Sequence, residues 1–119
     1  MPESIIQKKS YSFALRILKL HHYLNNESHE YVISKQILRS GTSIGANVEE
    51  ALGGSSKKDF LNKMTISYKE ARETNYWLRL LRDGGYLEPK LAESLLTESE
   101  EILKIIGKIR VTTKSTLHS

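Results

Sequence analysis

The chain lacks cysteine, contains only two prolines, Pro2 and Pro89, and has no long apolar run. The absence of cysteine excludes disulfides and thiolate metal sites. No segment approaches the roughly 18 consecutive apolar residues that indicate a membrane-spanning helix. The N-terminal segment also lacks the basic-then-apolar order of a secretory signal. We therefore expect a cytoplasmic protein with no membrane partner.

The sequence is rich in helical periodicity and contains no alternating pattern typical of strands. Breaker residues stand at Asn25-Asn26, Gly53-Gly54 and Gly84-Gly85, and they separate segments in which apolar residues recur every three or four positions. The four predicted helices cover about residues 4–24, 31–52, 56–82 and 89–111.

The size of the chain and the shortness of its connections determine the predicted fold. A chain of 119 residues matches one domain, and short loops require consecutive helices to run antiparallel. The sequence thus predicts an all-α fold, an antiparallel up-down-up-down four-helix bundle spanning residues 1–119. The polar tail 112–119 is expected to be frayed.

Two glycines, Gly41 and Gly45, lie four residues apart inside the predicted second helix. Each interior glycine costs a helix about 1 kcal/mol relative to alanine, so a compensating contact is expected. Without a Cβ atom, this face lets another backbone approach closely. We interpret the pair as a helix-packing site. A functional contact at the same face is the alternative.

The third predicted helix has a second apolar set besides its core face. Ile66, Trp77 and Leu80 project roughly opposite to the core stripe. In a monomer they would lie in water, and exposed apolar patches typically mark interfaces. We therefore expect a homo-oligomer with these residues at the interface. The alternative is that the fourth helix covers both faces.

A third stripe of the same helix is basic. It contains Lys57, Tyr68, Arg72, Arg79 and Arg82. Arginine can bind phosphate with a bidentate fork, and tyrosine can stack on a base. The stripe is our candidate nucleic-acid-binding surface. The alternative is a solvated charged face with local ion pairs such as Lys69 with Glu73.

Signatures of catalysis and metal binding are absent from the sequence. A di-metal bundle requires Glu-x-x-His on two helices, whereas Glu70 is followed at that spacing by Glu73. These carboxylates are better interpreted as partners of Arg and Lys. No phosphate-binding glycine loop or nucleophile motif occurs. We expect no catalytic residue, metal, cofactor, small-molecule substrate or enzymatic activity.

Several segments together resemble a known family. They are Ile37-Leu-Arg-Ser-Gly-Thr-Ser-Ile-Gly-Ala-Asn-Val-Glu-Glu-Ala51, Asp59-Phe60, Lys69-Glu-Ala-Arg-Glu-Thr-Asn-Tyr-Trp-Leu78 and Gly85-Tyr-Leu87. Over about residues 10–110 the chain is similar to the bacterial four-helix-bundle proteins called 23S ribosomal RNA intervening-sequence proteins. Members are encoded within insertions in 23S rRNA genes and also elsewhere in bacterial genomes.

This resemblance implies a partner and an assembly. It implies association with ribosomal RNA or another nucleic acid. Related accessory proteins of diversity-generating retroelements form basic homopentamers that bind nucleic acid and a reverse transcriptase, so the resemblance also implies a homopentamer. With a formal charge of only +4, we expect weak RNA binding. The alternative is a protein-interaction scaffold that binds a polymerase or reverse transcriptase without contacting RNA.

Overall fold

Four helices make up most of the chain. The structure, a computed structural model, describes residues 2–117, with side chains from residue 5 onward. The helices are α1 (Pro2–Asn26), α2 (Val32–Leu52), α3 (Lys57–Asp83) and α4 (Pro89–Leu117). No strand occurs between residues 2 and 117, so the all-α prediction is confirmed.

The helices form a closed ring of neighbours. Each helix packs against the next along the chain, and α4 packs back against α1, while the diagonal pairs α1–α3 and α2–α4 make no backbone contact. The connections are residues 27–31, 53–56 and 84–88. The resulting bundle measures 50 × 20 × 20 Å. This is the predicted four-helix bundle, and it places α1 and α3 on opposite sides.

Local side-chain chemistry sets the helix ends. The Glu30 carboxylate accepts hydrogen bonds from the first N–H groups of α2, the shortest being 2.7 Å from Ser34. The Ser56 hydroxyl caps α3 by accepting from the Asp59 N–H at 3.1 Å. After α3, Gly85 adopts φ +83°, a backbone conformation that glycine enters without steric cost.

The last helix is longer than predicted. The sequence suggested a helix end near residue 111 and a frayed tail, but α4 continues to Leu117. The Thr113 hydroxyl donates back to the Ile109 carbonyl at 2.7 Å, and the Thr116 hydroxyl donates to the Thr113 carbonyl at 2.9 Å. These bonds satisfy the two threonine hydroxyls within the helix, and no Gly or Pro occurs in residues 108–117. Residues 118–119 lie outside the described part of the chain.

The α1–α2 contact is close at the glycine pair. A Cβ atom on Gly41 would lie 2.8 Å from Cγ1 of Ile17, and one on Gly45 would lie 3.4 Å from the Ser10 carbonyl oxygen. Ile17 belongs to the core and is fully buried. Gly41 therefore leaves space for a core side chain of α1, whereas Gly45 faces the α1 backbone at ordinary contact distance.

Candidate nucleic-acid interface

The basic stripe lies along the edge of α3 that borders α4. Three side-chain contacts define this edge. The Asn75 amide donates to the Ser99 hydroxyl at 2.9 Å, Arg82 donates to Glu93 at 3.3 Å, and Arg110 donates to Thr65 at 3.1 Å. Residue numbers fall on α4 as they rise on α3, so the N-terminal half of α3 lies beside the C-terminal half of α4.

Three cations of the stripe are exposed. Lys57 and Arg72 point into solvent and have no hydrogen-bond or ion-pair partner in the described part of the chain. Arg79 is also exposed, with its Nε donating to the Asn75 side chain at 3.0 Å and its guanidinium 5.7 Å from the Tyr76 ring centre. None of these contacts neutralises charge, so all three cations can face an anion.

Arg82 differs because two carboxylates hold it. Its Nε donates to Asp83 at 2.8 Å and its Nη1 donates to Glu93 at 3.3 Å. The hydrogen bond to Asp83 is the main cause that raises the pKa of Arg82, and the same bond lowers the pKa of Asp83. Since these pairs compensate the charge of Arg82, its guanidinium is less available to an anion than the stripe pattern predicted.

Tyr68 is half-buried between α3 and α4. The Arg110 guanidinium lies 4.8 Å from the centre of its ring, and the ring also packs against the core. Arg110 therefore already occupies a position over the ring that a stacking base would need. Base stacking by Tyr68 stays a prediction, and the structure gives this ring a partner within the protein.

Sequence reasoning missed the contribution of α4. Beyond Glu101 the helix contains no acid, and its cations are Lys104, Lys108, Arg110 and Lys114. The facing half of α3, residues 57–69, has four lysines and one acid, Asp59. The two halves together form what we call the basic half-groove. The acid-free run in α4 was visible in the sequence, but its alignment with the start of α3 depends on the tertiary fold.

The predicted apolar interface residues differ in exposure. Ile66 and Leu80 are 42% and 39% exposed. Trp77, expected to project into water, is instead half-buried against the core, and its Nε1–H donates to the Glu73 carboxylate at 3.0 Å. The reason is that Trp77 turns toward the α2 side of α3, where the same Glu73 also pairs with Arg39.

A second apolar strip lies on α1 and was not anticipated. Tyr11, Leu15 and Leu18 are 66%, 46% and 50% exposed. Their spacings of four and three residues place them on one outward face of the helix, which we call the α1 strip. The pattern is visible in the sequence, since apolar residues occur on both faces of α1, but the predicted helix rested on the residues of the core face alone.

The carboxylates of α3 serve as ion-pair partners, as the sequence indicated. Arg39 of α2 binds Glu70 at 3.0 Å and also binds Glu73. The local pair of Lys69 with Glu73 is not found among the described residues. Among residues 5–117, whose side chains the structure describes, no three His, Asp or Glu side chains are grouped closely enough to hold a metal ion. The same part of the chain has no helix long and apolar enough to cross a membrane.

Comparison with known proteins identifies the family. No protein with curated annotation matches the chain significantly. A crystal structure of a protein of unknown function from Bacteroides thetaiotaomicron, assigned to the S23 ribosomal protein family, is 48% identical and superposes with a TM-score of 0.91. The match covers 92% of this chain and 98% of that one. The model of the 23S rRNA-intervening sequence protein family matches residues 2–108, so the chain belongs to that family.

Proposed function

We propose that this protein is a non-enzymatic, RNA-associated protein that acts as a homo-oligomeric basic scaffold. The observation that carries the proposal is the basic surface made of the half-groove between α3 and α4 together with Arg72 and Arg79 of the α3 stripe. Its cations have no carboxylate partner among the described residues, so they can bind phosphates without first breaking ion pairs. The family's description, which refers to sequences inserted in 23S rRNA, supports ribosomal RNA as the nucleic acid.

Homo-oligomerisation is supported by the position of the apolar surfaces. The α1 strip lies on one helix and the exposed pair Ile66 and Leu80 lies on the diagonal helix α3. A ring of identical subunits needs two different patches that meet head to tail. Two apolar patches on opposite sides of the bundle suit such a ring, and the family resemblance suggests five subunits.

The test of RNA binding is a gel-shift series with structured 23S rRNA fragments at several salt concentrations. Affinity should fall steeply as salt rises, because phosphate contacts release counterions. The double variant Arg72→Glu/Arg79→Glu should bind more weakly and with a shallower salt dependence. The matched control is Lys19→Glu/Lys35→Glu, which changes the net charge equally at exposed positions of α1 and α2.

The comparison of the two variants shows whether RNA binding depends on the α3 surface or only on the net charge of the protein. Weakening confined to the α3 variant supports binding along α3. Equal weakening in both variants would mean that only net charge matters, and the α3 surface would then be rejected. If the parent protein binds no RNA at low salt, the RNA function itself fails.

A second candidate is a scaffold that binds a polymerase or reverse transcriptase without RNA contact. The α1 strip favours it, because exposed apolar residues at helical spacing are typical of helix-mediated protein contacts. Such binding depends mainly on apolar burial and should change little with salt. Replacing Leu15 and Leu18 should weaken it, whereas the α3 arginine variants should not.

A further inference from the structure

Arg110 is held in place by neutral groups alone. Its Nε donates to the Thr65 hydroxyl at 3.1 Å, and its guanidinium lies 4.8 Å from the centre of the Tyr68 ring. No carboxylate lies within ion-pair distance of it in the described part of the chain. The guanidinium is thus positioned without being neutralised.

Other bridging arginines show the contrast. Arg16 binds Glu98, Arg39 binds Glu70 and Glu73, and Arg82 binds Asp83 and Glu93. Arg16 and Arg39 each link two helices through carboxylates, and Arg82 bonds to one carboxylate of its own helix and to one of α4. Arg110 also links α4 to α3, but its two Nη groups have no acceptor among the described residues. Four N–H donors of its fork are therefore available to a ligand.

The space beside Arg110 can accept such a ligand. A groove of about 350 Å³ is lined by Leu61, Asn62, Thr65, Arg110, Val111 and Lys114. It combines an arginine, a lysine and two neutral polar side chains, with no acid in its lining. This composition suits an anion, because planar guanidinium groups bind phosphate oxygens in pairs and lysine adds a point charge.

We propose that Arg110 and Lys114 form a phosphate-binding site for the RNA backbone, and that Tyr68 is a positioning residue that supports the Arg110 guanidinium. The inference rests on the proposed RNA function and assigns its site. It places the centre of binding at Arg110 and Lys114, within the half-groove, rather than at Arg72 and Arg79 of the α3 stripe. It also gives Tyr68 a role other than stacking on a base.

The test uses single-stranded oligouridine, which has little secondary structure, with affinity measured by fluorescence anisotropy across a salt series. Arg110→Gln should weaken binding about tenfold, as expected for a charge-assisted hydrogen bond. It should also reduce the slope of log affinity against log salt by about 0.7. Arg16→Gln is the matched control, since Arg16 is occupied by Glu98 on the α1–α4 side, and it should bind as the parent does.

The role of Tyr68 is tested by a conservative pair. Tyr68→Phe keeps the ring under Arg110 and should retain parental affinity. Tyr68→Leu removes the aromatic face and should weaken binding several-fold while leaving the salt slope unchanged, because the charge of Arg110 is still present. Thermal unfolding followed by circular dichroism checks that each variant is folded.

The results distinguish failure of the Arg110 site from failure of the proposed RNA function. If the parent binds oligouridine and Arg110→Gln binds equally well with the same salt slope, the site is wrong and RNA association stands. An oligouridine whose phosphates are replaced by neutral methylphosphonates should not bind, and binding by it would overturn the phosphate assignment. If the parent binds neither oligouridine nor rRNA fragments at low salt, the proposed function fails and the site fails with it.

Discussion

At the scale of single residues, the two glycines of α2 have different surroundings. Gly41 is buried against the branched side chain of Ile17, which cannot easily move, since its Cβ would also lie within 3.3 Å of an added methyl group. Gly45 is only half-buried, and the space beside it accepts a methyl group at contact distance. The sequence does not reveal this difference, because the two glycines lie one helical turn apart and look equivalent there.

Alanine substitutions should therefore have opposite effects at these positions. Gly41→Ala should destabilise the protein by up to about 2 kcal/mol, because overpacking costs about 1–3 kcal/mol and the gain in helix propensity offsets about 1 kcal/mol of that cost. Gly45→Ala should be neutral or stabilising by up to about 1 kcal/mol. Urea denaturation measures both. Equal effects in the two variants would contradict the packing difference.

The ion pair between Arg82 and Asp83 leads to a prediction about how the Asp83 carboxyl titrates. The hydrogen bond from Arg82 is the main cause that lowers the pKa of Asp83, and Arg79 adds a smaller electrostatic contribution. A lowered pKa means that the stabilising effect is present above the ordinary carboxyl pKa and is lost as pH falls through the lowered value. Arg82→Gln should therefore raise the pKa of Asp83 toward its ordinary range.

An NMR titration of the Asp83 carboxyl carbon measures this shift. Glu93→Gln is the control, because it removes the other partner of Arg82 and leaves the bond to Asp83 in place. We expect the control to leave the pKa of Asp83 nearly unchanged. An Asp83 pKa that stays low in Arg82→Gln would refute the assigned cause.

At the scale of helices, buried hydroxyl groups align α2 with α3. The Ser67 hydroxyl donates to the Ile44 carbonyl at 2.8 Å, and the hydroxyls of Ser40 and Thr74 are hydrogen-bonded at 2.8 Å. These three side chains are fully buried. Because unpaired buried polar groups are costly, sliding α2 along α3 by one turn would be unfavourable. Apolar packing alone would tolerate such sliding more easily.

A double-mutant cycle tests this pairing. Thr74→Val should cost roughly 1–2 kcal/mol, because it removes the partner of the buried Ser40 hydroxyl. Adding Ser40→Ala should recover part of that loss, since no unpaired hydroxyl then remains. Thr113→Val is the control, because its hydroxyl bonds only to its own helix. Urea denaturation gives the free energy of unfolding of each variant. Strictly additive costs of the two substitutions would show that the Ser40 and Thr74 hydroxyls are not coupled.

At the scale of the whole molecule, the cations of α4 and the α1 strip lie on different helices. The basic half-groove occupies the side formed by α3 and α4, whereas the α1 strip lies diagonally across from α3. The cations of α4 lie on neither of the two helices that bear the apolar patches, so they can stay exposed when subunits associate. An assembly would then repeat the proposed RNA-binding groove in each subunit, and weak contacts would add if one RNA reaches several grooves.

Light scattering tests the assembly. We expect a mass near five times the 13.6 kDa protomer. Because a ring contact joins two different patches, Leu15→Glu/Leu18→Glu and Ile66→Glu/Leu80→Glu should each dissociate it. The control Val32→Glu/Val111→Glu places charges at exposed apolar positions outside both patches and should leave the mass unchanged. A parent protein that is monomeric at micromolar concentration would reject the oligomer.

The sequence by itself determined the number of helices, their approximate ends and the class of the fold. Helical periodicity and breaker residues are local properties, and short loops leave antiparallel packing as the only compact arrangement. The family could be inferred for a similar reason, because its motif residues lie at fixed spacings along the chain. The end of α4 was missed, since a polar run without Gly or Pro does not reveal whether its hydroxyls bond within the helix.

Only the tertiary structure decided which surfaces are free. Trp77 and Tyr68 lie on helix faces that the sequence pattern predicted to be exposed, but Glu73 and Arg110 hold them within the protein. Conversely, Arg110 joins the candidate site because antiparallel packing brings it beside Thr65, 45 positions earlier in the chain. The physical reason is that exposure and charge pairing depend on neighbours from other helices, and local spacing contains no information about them.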